Sequence, residues 1–484
     1  MPNDVKAVLF DLDNTLLNTD KLCDLRETGL EVEQKHLDML VLYPKTLYVL
    51  NELKARDLIL GLITNSPKKY TMKILAQFKL TDFFSTIICY DDVGASGVKP
   101  SPNGINMALS KLGLTKDDNV LYIGDHQKDF DAAYAAGVKP IAPSWGSRRN
   151  IAQIPAAVMS ADSLLLELSS FDEIELFADR CAQHNTIDIP KKGLYFAPLD
   201  LEGQVTALDK NKIKIITFGR YFSRKSELTV RYHEKHALSK TIFEKERNPS
   251  FVAPQYWVDL FKHFVLKAAE YFLAEGANFD IVTVIPAKQG KNPRLENLLK
   301  RLSFELPGHI AAIPDIFIFT PDAKSVKTVG GATARDIEIK RTLSIKHKYI
   351  EHIKDKNILV IDDVITTGAT LRNAITLLEQ QGSGKVIGTC LAKTVSMSEE
   401  YKICPECSRL MRLRTNTKTD IRFWGCTGFN DPLTKCKYVE DIKMKDCPQC
   451  GEAMVRKKNS RNGEYFLACK SYSTGLCKHT ESEK

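Results

Sequence analysis

Two carboxylates one residue apart, in Asp11-Leu12-Asp13, close a short apolar run at residues 5–10, and the pairing suits attack on a phosphate ester. Such an attack needs a nucleophile, a proton donor for the leaving oxygen and positive charge on the phosphoryl oxygens. The chain offers a candidate for each role. Asp11 is placed to attack and carry an acyl phosphate, and Asp13 to protonate the leaving group and then activate water. Thr64 ends a second apolar run, 58–63, and can hydrogen-bond the phosphoryl group, with Asn65 beside it as a substrate contact. Lys99 can balance the phosphoryl charge. A third run, 120–123, ends in Gly124-Asp125 with Asp129 four residues on. With Asp11 and Asp13 these acids make an oxygen-rich ligand set for Mg²⁺, a hard ion that prefers carboxylates.

Four segments in this order, most at the end of a strand-like run, resemble the four motifs of the haloacid dehalogenase-like hydrolases over about residues 5–145. The resemblance implies a Rossmannoid α/β domain. Many members carry a large helical cap between the first two motifs, but here only about 40 residues separate Thr15 from the second run. A reduced cap over 18–42 predicts a fairly open site, and openness favours a bulky substrate such as a nucleotide, a protein or a nucleic-acid end over a small sugar phosphate.

A second constellation is Ile358-Leu359-Val360-Ile361-Asp362-Asp363-Val364-Ile365-Thr366-Thr367-Gly368-Ala369-Thr370. A buried strand feeds two acids and then a Thr/Gly loop at a helix N-terminus, where free N–H groups and the helix dipole favour a phosphate. Thr366, Thr367, Gly368 and Thr370 would hold that phosphate. Asp362 and Asp363, one loop-length away, suit the two hydroxyls of a ribose. The segment resembles the phosphoribosyl-diphosphate (PRPP) signature of type I phosphoribosyltransferases of the competence-related type. That resemblance implies Lys288, in Pro286-Ala287-Lys288-Gln289-Gly290-Lys291, as a contact for the diphosphate, and Mg²⁺ at this site too. A cradle of this kind can also sense PRPP or a nucleotide without turning it over.

The third constellation is a repeat. Cys404-x2-Cys407-x18-Cys426-x9-Cys436 is followed by Cys447-x2-Cys450-x18-Cys469-x7-Cys477, with a period of 43 for the first three cysteines. Four thiolates saturate tetrahedral Zn²⁺ and leave no place for a reacting water, so two structural zinc ions are expected. Metal would supply the stability that segments of this size cannot draw from a core. The pattern resembles the four-cysteine zinc ribbons of type IA topoisomerases. The resemblance implies single-stranded DNA or other nucleic acid as partner, held by stacking and basic side chains, with Arg422, Trp424, Tyr465 and Phe466 as the contacts.

These residues must be positioned by several cores. The chain has 484 residues and is 43% hydrophobic, too long for one ordinary core and too apolar for disorder. The expected class is α/β multidomain: a hydrolase domain at 1–165, a helical linker at 166–190, a phosphoribosyltransferase-like α/β domain at 191–398, and two small β zinc ribbons at 401–440 and 444–480. Residues 190–193, Pro-Lys-Lys-Gly, mark a boundary. Of the net charge of +8, residues 401–484 supply seven, from 17 Lys and Arg against 10 Asp and Glu. No apolar run approaches a membrane span and the first residues lack a signal peptide's pattern, so a cytoplasmic protein without a membrane partner is expected. The combination predicts a Mg²⁺-dependent phosphatase acting on nucleotides or nucleic-acid-linked phosphates, fused to a domain that handles a phosphoribosyl group. The alternative is a DNA-binding regulator that senses PRPP or a nucleotide.

Overall fold

The apolar runs that end in chemistry-bearing residues become neighbouring parallel strands. The computed structural model describes residues 3–482 except 29–30, 147–150, 188–195, 207–208, 225–226, 324–331, 396–401, 408, 417–418, 420, 431–434 and 461. The 190–193 boundary therefore lies outside the described residues. Residues 1–397 and 398–484 form two units.

In the first unit, β1 (Ala7–Phe10), β2 (Ile59–Ile63), β3 (Thr86–Ile88), β4 (Val120–Ile123), β5 (Lys139–Pro143) and β6 (Ala157–Met159) form a parallel sheet in the order β3-β2-β1-β4-β5-β6. All side chains of β1 and β4 are buried. Strands covered on both faces read as continuous apolar runs, which is why these were visible in the sequence. Because β2, β1 and β4 are adjacent and parallel, Thr64, Asp11 and Asp125 leave the sheet at one edge, where α/β folds bind ligands.

Between β1 and β2 the insertion holds a two-residue strand pair (Leu17–Asn18 with Val41–Leu42), helix α1 (Cys23–Thr28) and the one-turn helix Gln34–Leu37. The cap is thus reduced, as expected from its length. Helix α2 (Lys68–Gln77) follows β2 and α3 (Gln127–Ala136) follows β4.

A second sheet uses β7 (Ala197–Leu199), β8 (Ile215–Thr217), β9 (Arg220–Phe222), β10 (Ile281–Val284), β11 (Ala311–Ile313), β12 (Ile358–Ile365) and β13 (Val386–Val395). Its order is β11-β10-β12-β13-β8-β7, with β9 also on β13 and only β7 antiparallel. Helices α4 (Phe177–His184), α5 (Ala237–Arg247), α6 (Gln255–Phe272), α7 (Arg294–Ser303) and α8 (Ala369–Gln380) belong to this half of the unit.

The two sheets share a core. Phe130 and Tyr134 of α3 sit in one buried cluster with Ile215, Phe222 and Val360 of the second sheet, and Ile151 forms an isolated β-bridge with Val205. Helix α4, inside the segment expected as a linker, buries Phe177, Ala178 and Cys181 against α6 residues such as Phe261. No helix among the described residues is long and apolar enough to cross a membrane.

The second unit comprises two four-stranded antiparallel sheets in sequence order: β14 (Lys402–Ile403), β15 (Leu410–Thr415), β16 (Arg422–Cys426) and β17 (Val439–Asp441), then β18 (Lys443–Asp446), β19 (Ala453–Lys458), β20 (Tyr465–Cys469) and β21 (Thr480–Ser482). Their small buried clusters consist mostly of cysteines: Cys404, Cys426 and Cys436 with Met411 and Trp424 in the first, and Cys447, Cys469 and Cys477 with Met454 in the second.

Candidate functional site

At the carboxyl edge of the first sheet, carboxylate oxygens of Asp11, Asp125 and Asp129 lie within 4.8 Å of one another. The Lys99 ammonium sits among them, 2.5 Å from Asp11 Oδ1, 2.6 Å from Asp129 Oδ1 and 3.0 Å from the Tyr122 hydroxyl. Asp129 belongs to the first turn of α3, where its carboxylate accepts the His126 N–H in a capping box. Gly124 permits this approach: a Cβ there would come within 2.5 Å of the Asp129 side chain. Thr15 donates to Asp125 at 3.2 Å.

Burial sets the electrostatics. It pushes Asp11 up to about 7 against the pull of Lys99, and the Asp129 and Asp13 charges add to the rise. Burial likewise drives Asp125 well above the usual carboxylate range, with Asp129 and Asp11 adding to it. For Lys99 burial works the other way, but Asp11 and Asp129 outweigh it and keep the ammonium charged. Ionised, the three acids would carry more negative charge than one lysine cancels, and a bound cation would offset it.

Asp13 faces elsewhere. Its Oδ2 accepts from Ser66 Oγ at 2.6 Å and from Thr64 at 3.4 Å, and its Oδ1 accepts from the Tyr70 hydroxyl at 2.9 Å. Arg26 of α1 approaches the same Oδ1 at 3.5 Å. The side-chain acid cluster thus has three members and not the four expected, because Asp13 is claimed by α2, the turn before it and the cap. Asn65, expected to contact substrate, exchanges two hydrogen bonds with the Lys99 backbone, at 2.8 and 2.9 Å, and so fixes the Lys99 segment. The expected openness is also corrected. Asp11, Asp13, Thr64, Lys99 and Asp125 are all buried, since even the short insertion brings Arg26 over Asp13.

In the second sheet, Asp362 and Asp363 sit near the end of central strand β12, and Gly368 takes a left-handed φ of 75° to start α8. Thr366 is exposed, while Thr367 and Thr370 are half-buried. Lys393 donates to the Thr366 carbonyl at 2.8 Å, and Gly203 packs so closely that a Cβ would lie 2.8 Å from the Thr367 carbonyl oxygen. The two acids differ sharply. Asp362 accepts the Asp363 N–H at 2.8 Å, and burial, with Asp363 nearby, pushes it up to about 7. Asp363 is held well below the usual range, because Lys245 at 3.0 Å and Arg294 at 2.6 Å outweigh its burial. Lys288 stacks its ammonium 4.9 Å above the Phe319 ring. Lys245 and Arg294 escaped the sequence reading, having no motif around them.

In the second unit, Cys404, Cys407, Cys426 and Cys436 converge within 4.8 Å, as do Cys447, Cys450, Cys469 and Cys477. Neighbouring sulfurs are 3.4 to 3.7 Å apart, far beyond a disulfide's roughly 2.05 Å. Of the expected nucleic-acid contacts, Arg422 is exposed, and Tyr465 and Phe466 are half-buried. Trp424 is 5% exposed and packs against Cys404, Met411, Cys426 and Cys436, so it is core and cannot stack on a base. Tyr465 lies under the Arg456 guanidinium at 4.1 Å and donates to the Thr419 carbonyl of the first ribbon at 3.0 Å. Among the described residues of this unit, the exposed aromatics are Phe429 and Tyr472, 43% and 47% accessible, on short 3-10 turns three residues after the third cysteine of each ribbon. Carrying the 43-residue register past the cysteines would have found them.

Comparison with known proteins agrees with these three parts. Residues 24–142 match the haloacid dehalogenase-like hydrolases, 267–409 the phosphoribosyl transferase domain, and 401–445 and 444–484 the topoisomerase DNA binding C4 zinc finger. A phosphoglycolate phosphatase of Yersinia pestis is 38% identical over 105 residues, 22% of this chain and 44% of that protein. The chain thus spans under half the length of that relative. A phosphoglycolate phosphatase of Aquifex aeolicus is 32% identical over 148 residues, 30% of this chain and 68% of that protein. Among solved structures, a HAD phosphatase from Thermococcus onnurineus is 22% identical, covering 35% of this chain and 99% of that one with a TM-score of 0.29. A HAD-superfamily hydrolase from Ehrlichia chaffeensis is 23% identical, covering 29% and 88%, with a TM-score of 0.25. Through its first sheet and the segments around it, the chain belongs to the haloacid dehalogenase-like hydrolases.

Proposed function

We propose that the chain is a Mg²⁺-dependent phosphomonoester hydrolase whose nucleophile is Asp11. The observation that carries this reading is the placement of Lys99 between Asp11 and Asp129, with Asp125 in the same cluster and Asp13 held apart from it. An Asp11 oxygen bonds to phosphorus as the ester P–O bond breaks, and Asp13 gives its proton to the departing oxygen. Asp13 then takes a proton from water, the water oxygen bonds to phosphorus, and the Asp11–phosphorus bond breaks to release phosphate. Ser66, Tyr70 and Arg26 orient Asp13 for both transfers. Asp11, Asp125 and Asp129 would hold Mg²⁺, whose charge offsets that of the phosphoryl oxygens. Asp13 does not share in that set through its side chain.

The substrate is proposed to be a nucleotide or a nucleic-acid-linked phosphate, because the same unit carries a phosphoribosyl cradle at Asp362, Asp363 and residues 366–370, with PRPP as its ligand and Lys288 on the diphosphate. The phosphoglycolate phosphatases among the relatives support monoester chemistry. The proposed division is hydrolase at 1–165 and phosphoribosyl domain at 191–398. In the ribbons, a tetrahedral Zn²⁺ with sulfurs at about 2.3 Å spaces those sulfurs about 3.8 Å apart, close to the 3.4 to 3.7 Å seen here. Two structural Zn²⁺ ions, and single-stranded nucleic acid on the exposed aromatic and basic side chains, complete the reading.

A second reading, a nucleic-acid-binding regulator that senses PRPP or a nucleotide, draws on Asp363, which is engaged by Lys245 and Arg294. Phosphate release from p-nitrophenyl phosphate separates the two. The hydrolase reading expects release with Mg²⁺, none with chelator, and loss of it in Asp11→Asn; an unchanged rate in that variant refutes it.

A further inference from the structure

The Lys99 ammonium has three hydrogens and meets three acceptors among the described residues. Asp11 Oδ1 lies at 2.5 Å, Asp129 Oδ1 at 2.6 Å and the Tyr122 hydroxyl oxygen at 3.0 Å. A tyrosine hydroxyl accepts through its lone pairs and donates one hydrogen. That of Tyr122 is left for the Ile63 carbonyl at 3.2 Å or Asp129 Oδ1 at 3.3 Å.

Tyr122 stands on β4 and Ile63 ends β2, with β1 between them. One hydroxyl thus touches the residue before Thr64, the Lys99 ammonium and the first turn of α3, while Lys99 itself reaches Asp11 beyond the end of β1. The Lys99 backbone is fixed by Asn65, through hydrogen bonds of 2.8 and 2.9 Å. A flexible four-carbon stem separates that backbone from the ammonium, so aiming the charge takes a second fixed point. Asp11 and Asp129 cannot supply it, because in the proposed reaction one becomes an acyl phosphate and both turn toward a metal ion. Tyr122 is neutral, completely buried and packed in one cluster with Leu9, Ile63 and Ile105, and it takes no part in bond making.

From this we infer that Tyr122 is a positioning residue for Lys99. It holds one N–H of the ammonium, so that the other two face Asp11 and Asp129, the side on which the phosphoryl group is carried. A donor aimed before the charge develops needs no reorientation as the transition state forms. The inference deepens the hydrolase reading and rests on it.

Steady-state kinetics of the full chain on p-nitrophenyl phosphate with saturating Mg²⁺ tests it in four forms: wild type, Tyr122→Phe, Lys99→Met and the double variant. Tyr122→Phe keeps the ring and removes the hydroxyl. It is expected to lower kcat by about tenfold, the scale of one hydrogen bond to a charged group, and to leave KM within about twofold. In the Lys99→Met chain the same substitution should change kcat by less than about twofold, because a residue that acts through Lys99 has nothing left to aim. Tyr122→Phe with a wild-type kcat overturns the inference. A tenfold loss in the Lys99→Met chain overturns it as well, since that result marks a merely structural phenol. Should Tyr122→Phe not fold, the double variant decides: methionine needs no acceptor, so the double variant is expected to fold, and its failure where Lys99→Met alone folds overturns the inference. A wild type without Mg²⁺-dependent phosphate release refutes the hydrolase reading, and the inference falls with it; the variant outcomes above count against the inference alone.

Discussion

Lys99 and Asp11, 88 residues apart in the chain, meet at 2.5 Å inside a pocket where neither side chain is more than 9% exposed. The pair explains how a carboxylate that burial would protonate can still serve as a nucleophile. Lys99→Met removes the only lysine in contact with Asp11 and Asp129 among the described residues and leaves two facing acids. The expected outcome is a fall in kcat of about 10²–10³, the scale seen when one charge-stabilising donor is lost. Steady-state kinetics on an aryl phosphate checks it; a loss under about threefold contradicts the role.

Arg220 of β9 joins the two sheets. Its Nε lies 2.8 Å from Asp179 of α4, it pairs with Glu175, and it reaches the Tyr134 hydroxyl of α3 at 3.4 Å. Arg220→Ala leaves the buried Asp179 with only the residue 220 N–H and His236 as partners, and breaking a buried pair costs at most about 3–5 kcal/mol. Denaturant unfolding should show that loss. Phosphatase activity should fall too, because α3 carries Asp129 at its start. A variant as stable as the wild type would show that the network does not couple the halves.

Asp362 gives a pH signature. Its carboxyl is pushed up to about 7 by burial, with the Asp363 charge adding, from an unfolded value near 4. In that window the folded state binds the extra proton, so this residue favours folding at low pH and the contribution is lost as pH rises through about 7. The difference in Tm between Asp362→Asn and wild type should therefore shift in favour of the variant between about pH 4 and pH 7 and stay level above. A difference that does not change over this range removes the argument. Comparing variant with wild type cancels the parallel titration of Asp11.

The ribbons separate fold from contact. Trp424→Ala opens the cluster around Cys404, Cys426 and Cys436, and is expected to unfold the first ribbon and release its metal. Phe429→Ala and Tyr472→Ala should leave metal content unchanged and weaken single-stranded DNA by about 1–3 kcal/mol for each stacked base. Metal analysis and fluorescence anisotropy over a salt series read both. Unaltered DNA affinity in the double variant would exclude these turns as the stacking surface.

What the sequence disclosed depends on how far each feature reaches along the chain. Asp11, Thr64, Asp125 and the loop from Thr366 to Thr370 follow directly on the apolar strands that aim them, so type and position were legible together. Tyr122 was not, because an inward tyrosine on β4 looks like any core residue until Lys99 is seen beside it. Ser66, Tyr70 and Arg26 come from three elements that meet only when the insertion folds over β2, and Lys245 and Arg294 meet Asp363 in the same long-range way. Trp424 misled because it lies two residues before a cysteine, on the strand face that turns toward the four-cysteine cluster. The shared core of the two sheets also depends on docking: Tyr134 and Phe222 are simply aromatic residues until their rings meet edge to face at 6.0 Å.

The most direct test of the account is the covalent state of Asp11 during turnover. Acid quenching of the full chain a few milliseconds after mixing with an aryl phosphate and Mg²⁺, followed by peptide mass spectrometry, should find a phosphoryl group on Asp11 and none in Asp11→Asn. Turnover with an unmodified Asp11 peptide, or a phosphoryl group trapped on another side chain, would contradict it.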